Sequence, residues 1–395
     1  MWEGHTTKTM LDLSPEVQER LLGRHVREVL SATDRALFRG QRMLVTGAGG
    51  SIGGELSRQL ASCEPSRLTL LDHSEYALFR IDQELRERCP SIEIDAIIGD
   101  VSRRADITSA CRTARPHVVY HAAAYKHVPI AEKSIVPAAR TNVIGTVETV
   151  YAAREAGARF VLISSDKAAE PRSIMGATKR CAELAALAAN TTTFRPIVLR
   201  FGNILGSSGS LAEIMWRAVQ QGRNVPITDP NATRFFMTAS EAVSLVLKAD
   251  LIGRHPEVFW LDMGEPLQIG SLAERFIEWA TPEGRQRVGI DIIGLRAGEK
   301  MHEELTSHGL EMRPTGHPRI LRARQRAMPI EQPRNAVREI RCACVSGNAA
   351  RIIDALKAAV IDFVPSPAAV AAAHAQKGQG KWGEHVRLSA VAAAS

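Results

Sequence analysis

The stretch VTGAGGSIGGEL, residues Val45–Leu56, decides the fold that we expect for this chain. It leads from a short apolar run into an amphipathic segment, and Gly47, Gly50 and Gly53 follow the spacing TGxxGxxG. Glycines at a strand-to-helix turn let backbone N–H groups approach a pyrophosphate at the positive end of the helix. The stretch therefore predicts a dinucleotide site beside the first strand of a parallel sheet.

Similar apolar runs recur along the first half of the chain, separated by amphipathic segments long enough for helices. The candidate strands are Arg42–Gly47, Arg67–Asp72, Ile92–Ile98, His117–Ala122, Arg159–Ser164 and Pro196–Phe201. Near-continuous apolar runs of this length are typical of strands covered on both faces. We predict an α/β fold, a doubly wound parallel sheet of the Rossmann type, with a smaller C-terminal substrate-binding subdomain.

The domain prediction follows the change from regular alternation to loop-rich sequence after Phe201. The predicted units are an N-terminal helical extension (1–40), a nucleotide-binding domain (41–200, with a returning segment about 236–262), a substrate-binding subdomain (201–235 and 263–363) and a disordered tail (364–395). The tail is rich in Ala, Gly and Pro, which is typical of poorly ordered segments.

Composition excludes several classes of protein. The net charge of +7 over 395 residues comes without a long basic run, so it favours an anionic small ligand over nucleic acid. The six cysteines form no CxxC pair, which predicts reduced core thiols and no metal site. No apolar run approaches the roughly 18 residues of a membrane span, and no signal peptide is recognisable. We predict a cytoplasmic protein.

Two carboxylates are positioned to bind the adenosine half of a dinucleotide. Asp72 ends the second strand about 20 residues after Gly53, where a carboxylate accepts hydrogen bonds from the ribose. No arginine follows it immediately, so NAD is favoured over NADP. The alternative is that Asp72 only caps the next helix. Asp100 and the Val101 backbone, after the third strand, are predicted to hold the adenine ring.

Further motifs give the chain a family resemblance. They are HAAAYKHVP (His121–Pro129), SSDK (Ser164–Lys167), MGATK (Met175–Lys179) and RFGNILGS (Arg200–Ser207). With the glycine stretch they resemble the extended short-chain dehydrogenase/reductases, and more narrowly the capsular-polysaccharide group of nucleotide-sugar 4,6-dehydratases. The resemblance runs from about Leu22 to Phe363. Many members carry an N-terminal membrane domain, and this sequence resembles the soluble catalytic part alone.

The resemblance implies a redox-neutral reaction on UDP-N-acetylglucosamine. NAD takes hydride from sugar C4, water leaves across C5 and C6, and the hydride returns to C6. The product is a 4-keto-6-deoxy sugar, an early intermediate for a surface polysaccharide or glycan. The predicted cofactor contacts are Gly47, Gly50, Ser51, Ile52, Gly53, Asp72, Asp100, Val101, Ala122, Ala123 and Lys179.

The elimination needs a base at C5 and an acid at the C6 oxygen, both within reach of one sugar. Adjacent Asp166 and Lys167 follow the fifth strand and meet that demand, with Lys167 standing where the related dTDP-glucose enzymes have a glutamate base. A lysine base must be neutral, and we expect burial beside Lys179 and the nicotinamide to lower its pKa. We predict that the pair shares one proton. The alternative is a surface ion pair.

Met175 occupies the position at which this family usually has a catalytic tyrosine. A thioether carries no proton, so the C4 hydroxyl proton must leave through Ser165, a water or the Asp166–Lys167 pair. Tyr125 is a candidate substitute, although an aromatic pocket wall is the simpler interpretation. In the resembling family the methionine version is associated with retention at C5. Lys179 should bind the nicotinamide ribose.

The substrate diphosphate needs cations, and arginine forks suit phosphate oxygens. The predicted substrate contacts are Lys126, Asn203, Arg234, Arg296 and Glu299. Of these, Lys126 and Glu299 are also explained as solvated loop residues, and the aromatic pair after Arg234 as core packing. The resemblance also implies a homo-oligomer, assembled through helices on the sheet face.

Two other functions remain open at this stage. A UDP-sugar 4-epimerase would share the cofactor and both arginines, but it needs no acid–base pair for C5 and C6 and usually keeps the tyrosine. A non-catalytic NAD-binding scaffold would explain Met175 as lost activity. That hypothesis leaves Asp166, Lys167 and Lys179 without a role.

Overall fold

The computed structural model describes residues 13–26, 29–281, 287–303, 311–323 and 331–377. The strands are β1 (Arg42–Thr46), β2 (Arg67–Asp72), β3 (Glu93–Ile98), β4 (Val118–His121), β5 (Arg159–Ile163), β6 (Ile197–Arg200), β7 (Asn203–Ile204), β8 (Val225–Ile227), β9 (Thr233–Arg234), β10 (Phe236–Met237), β11 (Glu257–Leu261), β12 (Leu267–Gln268), β13 (Ile290–Ile292), β14 (Met312–Pro314) and β15 (Ile320–Ala323). The helices are α1 (Pro15–Leu22), α2 (Ala32–Ala36), α3 (Ser51–Ala61), α4 (Glu75–Arg88), α5 (Arg104–Ala114), α6 (Val128–Lys133), α7 (Ile135–Ala139), α8 (Thr146–Glu155), α9 (Ile174–Ala188), α10 (Leu211–Gln220), α11 (Ala239–Ile252), α12 (Ile269–Ala280), α13 (Glu331–Ser346), α14 (Ala349–Ala359) and α15 (Pro367–Lys377).

One sheet organises the fold. Its strand order is β14–β15–β11–β6–β5–β4–β1–β2–β3. Strands β1 to β6 and β11 run parallel, and β15 and β14 add an antiparallel edge. The six predicted strands are present, and the doubly wound α/β fold is confirmed. Strand order reverses beside β1, so the ligand crevice is expected above the carboxyl ends of β1 and β4.

Side chains of the sheet alternate between two apolar layers, as the period of a strand requires. In β1, Met43 and Val45 face the layer that contains α3, α4 and α11, whereas Leu44 faces the layer of α5, α8 and α9. All three side chains are fully buried. Each such burial contributes about 1.5–3 kcal/mol. The sheet is therefore a fixed platform for the loops that follow its strands.

The C-terminal helices correct the prediction of a disordered tail. Pro367–Lys377 form α15, whose Ala369 and Ala373 are buried where the helix packs on α6 and α14. Alanine is the strongest helix former, and these two lie one turn apart on one face. The part of the predicted tail after residue 377 lies outside the described residues.

Helices α13 and α14 pack on α9 and α7 of the same chain. They therefore cover part of the helical layer through which the resemblance implied assembly. The homo-oligomer stays a prediction, as do the domain boundaries. Within the described ranges, no helix has both the length and the apolar character needed to cross a membrane.

The six cysteines are free, but the prediction that all are core thiols is wrong for two of them. Cys342 is exposed and Cys89 is half-buried, while the other four are buried. Cys342 lies on α13, on the side that faces away from the sheet-bound helices, which periodicity alone did not indicate.

Candidate active site

The turn between β1 and α3 needs glycine at two positions. Gly47 has φ +69°, and a Cβ there would lie 2.6 Å from the backbone nitrogen of Ala123. A Cβ on Gly53 would overlap the Gly47 carbonyl oxygen. Helix α3 begins at Ser51 with Gly50 as its N-cap, and no side chain caps its first N–H groups. The turn therefore presents backbone donors and the positive helix end to the crevice.

Two adjoining cavities occupy the crevice, and every predicted cofactor contact lines at least one of them. The first has a volume of about 250 Å³ and the second about 850 Å³. The first is lined by Gly47, Gly50, Asp72, Asp100, Val101, Ala122 and Ala123. The second is lined by Gly47, Gly50, Ser51, Ile52, Gly53, Ala122 and Lys179. Cavities of this size are typical of small-molecule sites.

Asp72 lines the first cavity and also accepts two backbone hydrogen bonds. Its Oδ1 accepts a hydrogen bond from Ser74 N at 2.9 Å, just before α4, and its Oδ2 accepts one from Gly49 N at 2.9 Å. The N-cap of α4 is Ser74, whose side chain accepts from Ala77 N, so Asp72 does not itself cap the helix. A carboxylate has about four acceptor positions, so Asp72 retains capacity for ribose hydroxyls in the first cavity.

The second cavity brings together most of the predicted catalytic and substrate residues. Its lining includes Lys126, Ser165, Lys167, Met175, Lys179, Asn203, Arg234, Arg296 and Glu299. Asp166 is not among the described lining residues; its side chain is fully buried. The predicted base therefore faces the cavity, and its acidic neighbour lies beneath the wall.

The Asp166–Lys167 pair is closed in the structure. Lys167 Nζ lies 3.0 Å from Asp166 Oδ1, and the same oxygen accepts hydrogen bonds from Lys167 N and Ser165 Oγ, both at 2.8 Å. Asp166 Oδ2 is buried and has no hydrogen-bond partner among the described residues. Ser165 thus links the cavity directly to the buried carboxylate.

The prediction that burial lowers the pKa of Lys167 is wrong for this state of the protein. Burial alone would lower this pKa, but the charge of Asp166, the charge of Glu303 and the hydrogen bond to Asp166 outweigh it, so the pKa of Lys167 is raised. Arg234 opposes the rise. The pair is a partly buried site rather than a surface ion pair, and the shared proton stays a prediction.

Helix α9 positions Met175 and Lys179. Ser173 caps its start by accepting from Gly176 N, and a Cβ on Gly176 would overlap the Lys167 carbonyl oxygen. Met175 lines the cavity and also packs in the apolar cluster with the C-terminal helices. It is a core residue as well as a wall residue.

Lys179 is buried, with 7% of its surface exposed. Its Nζ donates a 2.6 Å hydrogen bond to the Ile163 carbonyl at the end of β5. Burial lowers its pKa from 10.5 to about 8, partly opposed by the charge of Glu183. An amine in this position binds hydroxyl groups and exchanges protons near neutral pH.

We expect Lys179→Met to be more stable than the wild type at pH 7 and inactive. Between pH 8 and 10.5 the unfolded chain holds a proton that folded Lys179 has lost, so wild-type stability rises with pH in this window. Below it, the buried ammonium costs about 3 kcal/mol. Urea unfolding should show a gain of about 1–3 kcal/mol at pH 7 that shrinks by pH 10.

The exposed Lys357→Met variant is the control for that measurement. It should leave the free energy of unfolding within about 0.5 kcal/mol of the wild type at both pH values. A Lys179→Met gain that does not change with pH would show that the buried ammonium is not its cause.

The two predicted diphosphate arginines differ in their surroundings. Arg234 makes hydrogen bonds to the carbonyl oxygens of Thr233, Met301 and Lys300 at 2.7, 3.0 and 2.6 Å. Arg296 is half exposed, and its Nη2 lies 2.7 Å from Glu299 Oε1. Arg234 is thus locked in one orientation, while Arg296 is held by one exchangeable ion pair.

Only one of the four tyrosines, all within the described ranges, reaches the cavities. Tyr125 lines both of them and is 43% exposed. Tyr120 is fully buried and donates a 2.8 Å hydrogen bond to Asp250 Oδ2. Tyr125 is therefore a wall residue of both cavities, whereas Tyr120 lines neither and cannot replace the catalytic tyrosine.

Sequence reasoning missed Glu303. Its side chain is 6% exposed and lines the second cavity, 3.6 Å from Lys167 Nζ and 3.7 Å from Arg234 Nε. The motif GEKMHEEL around it contains several acidic residues. Nothing in their spacing distinguished this one, because the contact joins segments far apart in the chain.

Comparison with known proteins places the chain among polysaccharide biosynthesis proteins. Residues 43–325 match the family described as polysaccharide biosynthesis protein. Capsular polysaccharide biosynthesis protein CapD of Staphylococcus aureus is 40% identical over 73% of this chain and 48% of its own length. The chain therefore spans about half the length of that relative.

Two further relatives differ in the reaction that their names give. A UDP-N-acetylglucosamine 4,6-dehydratase (inverting) of Campylobacter jejuni is 30% identical over 69% of this chain and 79% of its own length. A UDP-glucose 4-epimerase of Rickettsia canadensis has the same identity and coverage. Overall identity thus does not separate dehydration from epimerisation.

Among solved structures, Pen from Bacillus thuringiensis aligns with a TM-score of 0.66 and 28% identity, covering 76% of this chain and 98% of that one. The dTDP-glucose 4,6-dehydratase DesIV of Streptomyces venezuelae, solved with NAD, aligns with a TM-score of 0.59 and 21% identity, covering 67% and 88%. The second likeness shows the shared Rossmann-type fold.

Proposed function

The chain belongs to the polysaccharide biosynthesis protein family, and we propose that it is a lyase that dehydrates UDP-N-acetylglucosamine with NAD. The product is the 4-keto-6-deoxy sugar nucleotide, with retention at C5 favoured by Met175. One observation carries the proposal: a closed Asp166–Lys167 pair whose amine lines the same cavity as Lys179 and the glycine turn. A 4,6-dehydratase needs such a pair, and an epimerase does not.

The residues present fit NAD. A pyrophosphate suits the glycine turn, where Gly47 lies close to Ala123 and the start of α3 is uncapped. An adenosine ribose suits the remaining acceptor positions of Asp72. Asp100 and Val101 line the first cavity, where they would hold the adenine, and Lys179 lines the second, where it would bind the nicotinamide ribose. Bound NAD supplies the acceptor for the C4 hydride and returns that hydride to C6.

We place the C4 hydroxyl proton on Asp166 through Ser165. Ser165 Oγ lies in the cavity wall and already donates to Asp166 Oδ1 at 2.8 Å, so it can take one proton while passing on its own. Protonating Asp166 removes the main charge that keeps the pKa of Lys167 raised. Burial then lowers that pKa, Lys167 releases its proton to solvent, and a neutral amine becomes available.

The proton count closes over the cycle. Neutral Lys167 takes the C5 proton, and protonated Asp166 passes a proton back through Ser165 to the C6 oxygen, which leaves as water. Lys167 then returns its proton to C5 and is reprotonated from solvent. The pair ends as it began, with Asp166 ionised and Lys167 charged.

The substrate diphosphate is proposed to lie near Arg234 and Arg296, with Asn203 as a polar contact. Arg296 is the more available donor, because its side chain is half exposed and its partner Glu299 lies on the same loop. Lys126 lines the same cavity and is exposed at its rim. These cations suit a UDP-sugar.

The proposal is tested by incubating the purified protein with UDP-N-acetylglucosamine in deuterated water and following the sugar by NMR. Loss of one water with deuterium at C5 is the expected result, because the amine of Lys167 exchanges its protons with solvent. Inversion at C4 without loss of water supports the UDP-sugar 4-epimerase instead. No change in the sugar, with NAD bound, supports a non-catalytic scaffold.

A further inference from the structure

Glu303 has no part in the mechanism above, although its surroundings are those of a working residue. One of its oxygens, Oε1, lies 3.6 Å from Lys167 Nζ and 3.7 Å from Arg234 Nε. The side chain is 6% exposed. Burying a carboxylate is costly unless cations compensate it, and here the cations are the proposed base and a proposed diphosphate ligand.

The backbone fixes where this carboxylate can be. Thr233 N donates to the Met301 carbonyl at 3.0 Å, and Thr233 Oγ1 lies 2.9 Å from His302 Nδ1. Arg234 Nη1 and Nη2 donate to the carbonyl oxygens of Met301 and Lys300. The segment that ends at Glu303 is therefore fastened along β9, the strand that carries Arg234.

The result is a row of alternating charges. Asp166, Lys167, Glu303 and Arg234 follow one another at distances of 3.0, 3.6 and 3.7 Å. These are the charged groups that face Lys167, and they come from the turn after β5, the segment after Met301 and β9. Glu303 is the link between the sugar end of the row and the diphosphate end.

We propose that Glu303 is a positioning residue, whose carboxylate holds the Lys167 amine at a fixed separation from Arg234 so that a sugar anchored by its diphosphate meets the base. The inference rests on the proposed function. Without the carboxylate, the cations Lys167 and Arg234 would face each other, and Asp166 would be the one remaining ion-pair partner of Lys167 among the residues that the structure describes.

The test is Glu303→Gln in the full chain, which keeps the shape and removes the charge. We expect kcat at its pH plateau to fall about 10- to 100-fold, because a displacement of about 1 Å at a reacting group has that effect. The rise of kcat with pH should also move to lower pH, since Lys167 has lost an anionic neighbour. If Glu303 only stabilised the fold, its replacement would not shift this rising limb of the pH profile.

The matched control is Glu278→Gln, which removes an exposed carboxylate that pairs with Arg20. Its kcat and pH profile should equal those of the wild type. Glu303→Asp keeps the charge on a shorter side chain, so it should keep the wild-type limb while kcat is still reduced. That variant decides the question if Glu303→Gln does not fold.

An unchanged plateau and an unchanged limb in Glu303→Gln overturn the inference while leaving the dehydratase proposal intact. If the wild type does not turn over UDP-N-acetylglucosamine, the proposed function fails instead. The effect of the Glu303 charge on Lys167 is then measured by ¹⁵N-lysine NMR as the titration midpoint of Lys167. The Lys167 signal is assigned by its loss in Lys167→Arg. Equal titration midpoints in wild type and Glu303→Gln overturn it, and a lower midpoint in the variant supports it.

Discussion

Lys167→Met is expected to lose at least about a thousandfold in kcat, because one side chain supplies the base for C5. Exchange of the C5 proton with solvent should disappear together with turnover. The measurement is single-turnover NMR in deuterated water. The exposed Lys357→Met variant should exchange and turn over as the wild type does.

Lys167→Met also removes the positive charge beside buried Asp166, which affects stability as well as catalysis. Lys167→Arg separates the two effects. Arginine preserves the positive partner of the buried carboxylate, but it does not deprotonate in a protein. It should therefore fold with near wild-type stability and still lack C5 exchange. Exchange at the wild-type rate in a folded Lys167→Arg protein would contradict the base assignment.

Gly53→Ala is the second large effect, and it falls on the cofactor. A Cβ there overlaps the Gly47 carbonyl oxygen, so the turn that holds the pyrophosphate must move. Overpacking of this kind costs about 1–3 kcal/mol, and a loss of binding free energy of the same size raises the Kd for NAD about 5- to 150-fold. Isothermal calorimetry with NAD measures it without any substrate.

The adjacent glycine provides a matched control. A Cβ on Gly54 would lie 3.4 Å from the Ala48 carbonyl oxygen, an ordinary contact, on the same helix. Gly54→Ala should bind NAD as the wild type does. If both variants bind NAD equally well, the close approach of Gly53 to Gly47 is not what shapes the cofactor site.

The sequence predicted the parallel sheet well because each of its central strands is a continuous apolar run. It did not indicate β11 as a strand, although all five of its residues are buried beside β6. It also did not indicate β14 and β15, which are short, lie at the edge and mix polar with apolar residues. It also missed α15, since alanine-rich sequence is compatible with both disorder and a packed helix. The central strands can be predicted from the local sequence pattern. The edge strands and α15 form because of the elements against which they pack.

For the site, sequence motifs predicted residues that the structure brings to one cavity, but they did not indicate the electrostatic surroundings of those residues. The position of Lys167 after β5 was predictable, whereas its raised pKa depends on Asp166 and on Glu303, more than a hundred positions away in the chain. Long-range electrostatics cannot be read from spacing. For the same reason, the sequence did not indicate the role of Glu303 or the position of Asp166 beneath the cavity wall.

The hydride path is the central claim, and a labelled substrate tests it most directly. UDP-N-acetylglucosamine carrying deuterium at C4 is converted in ordinary water, and the product is analysed by NMR and mass spectrometry. The account predicts a dehydrated 4-keto product with the deuterium in its C6 methyl group and no net change in NAD. Deuterium retained at C4 of an epimerised sugar, or a 4-keto product whose C6 carries none, would contradict it.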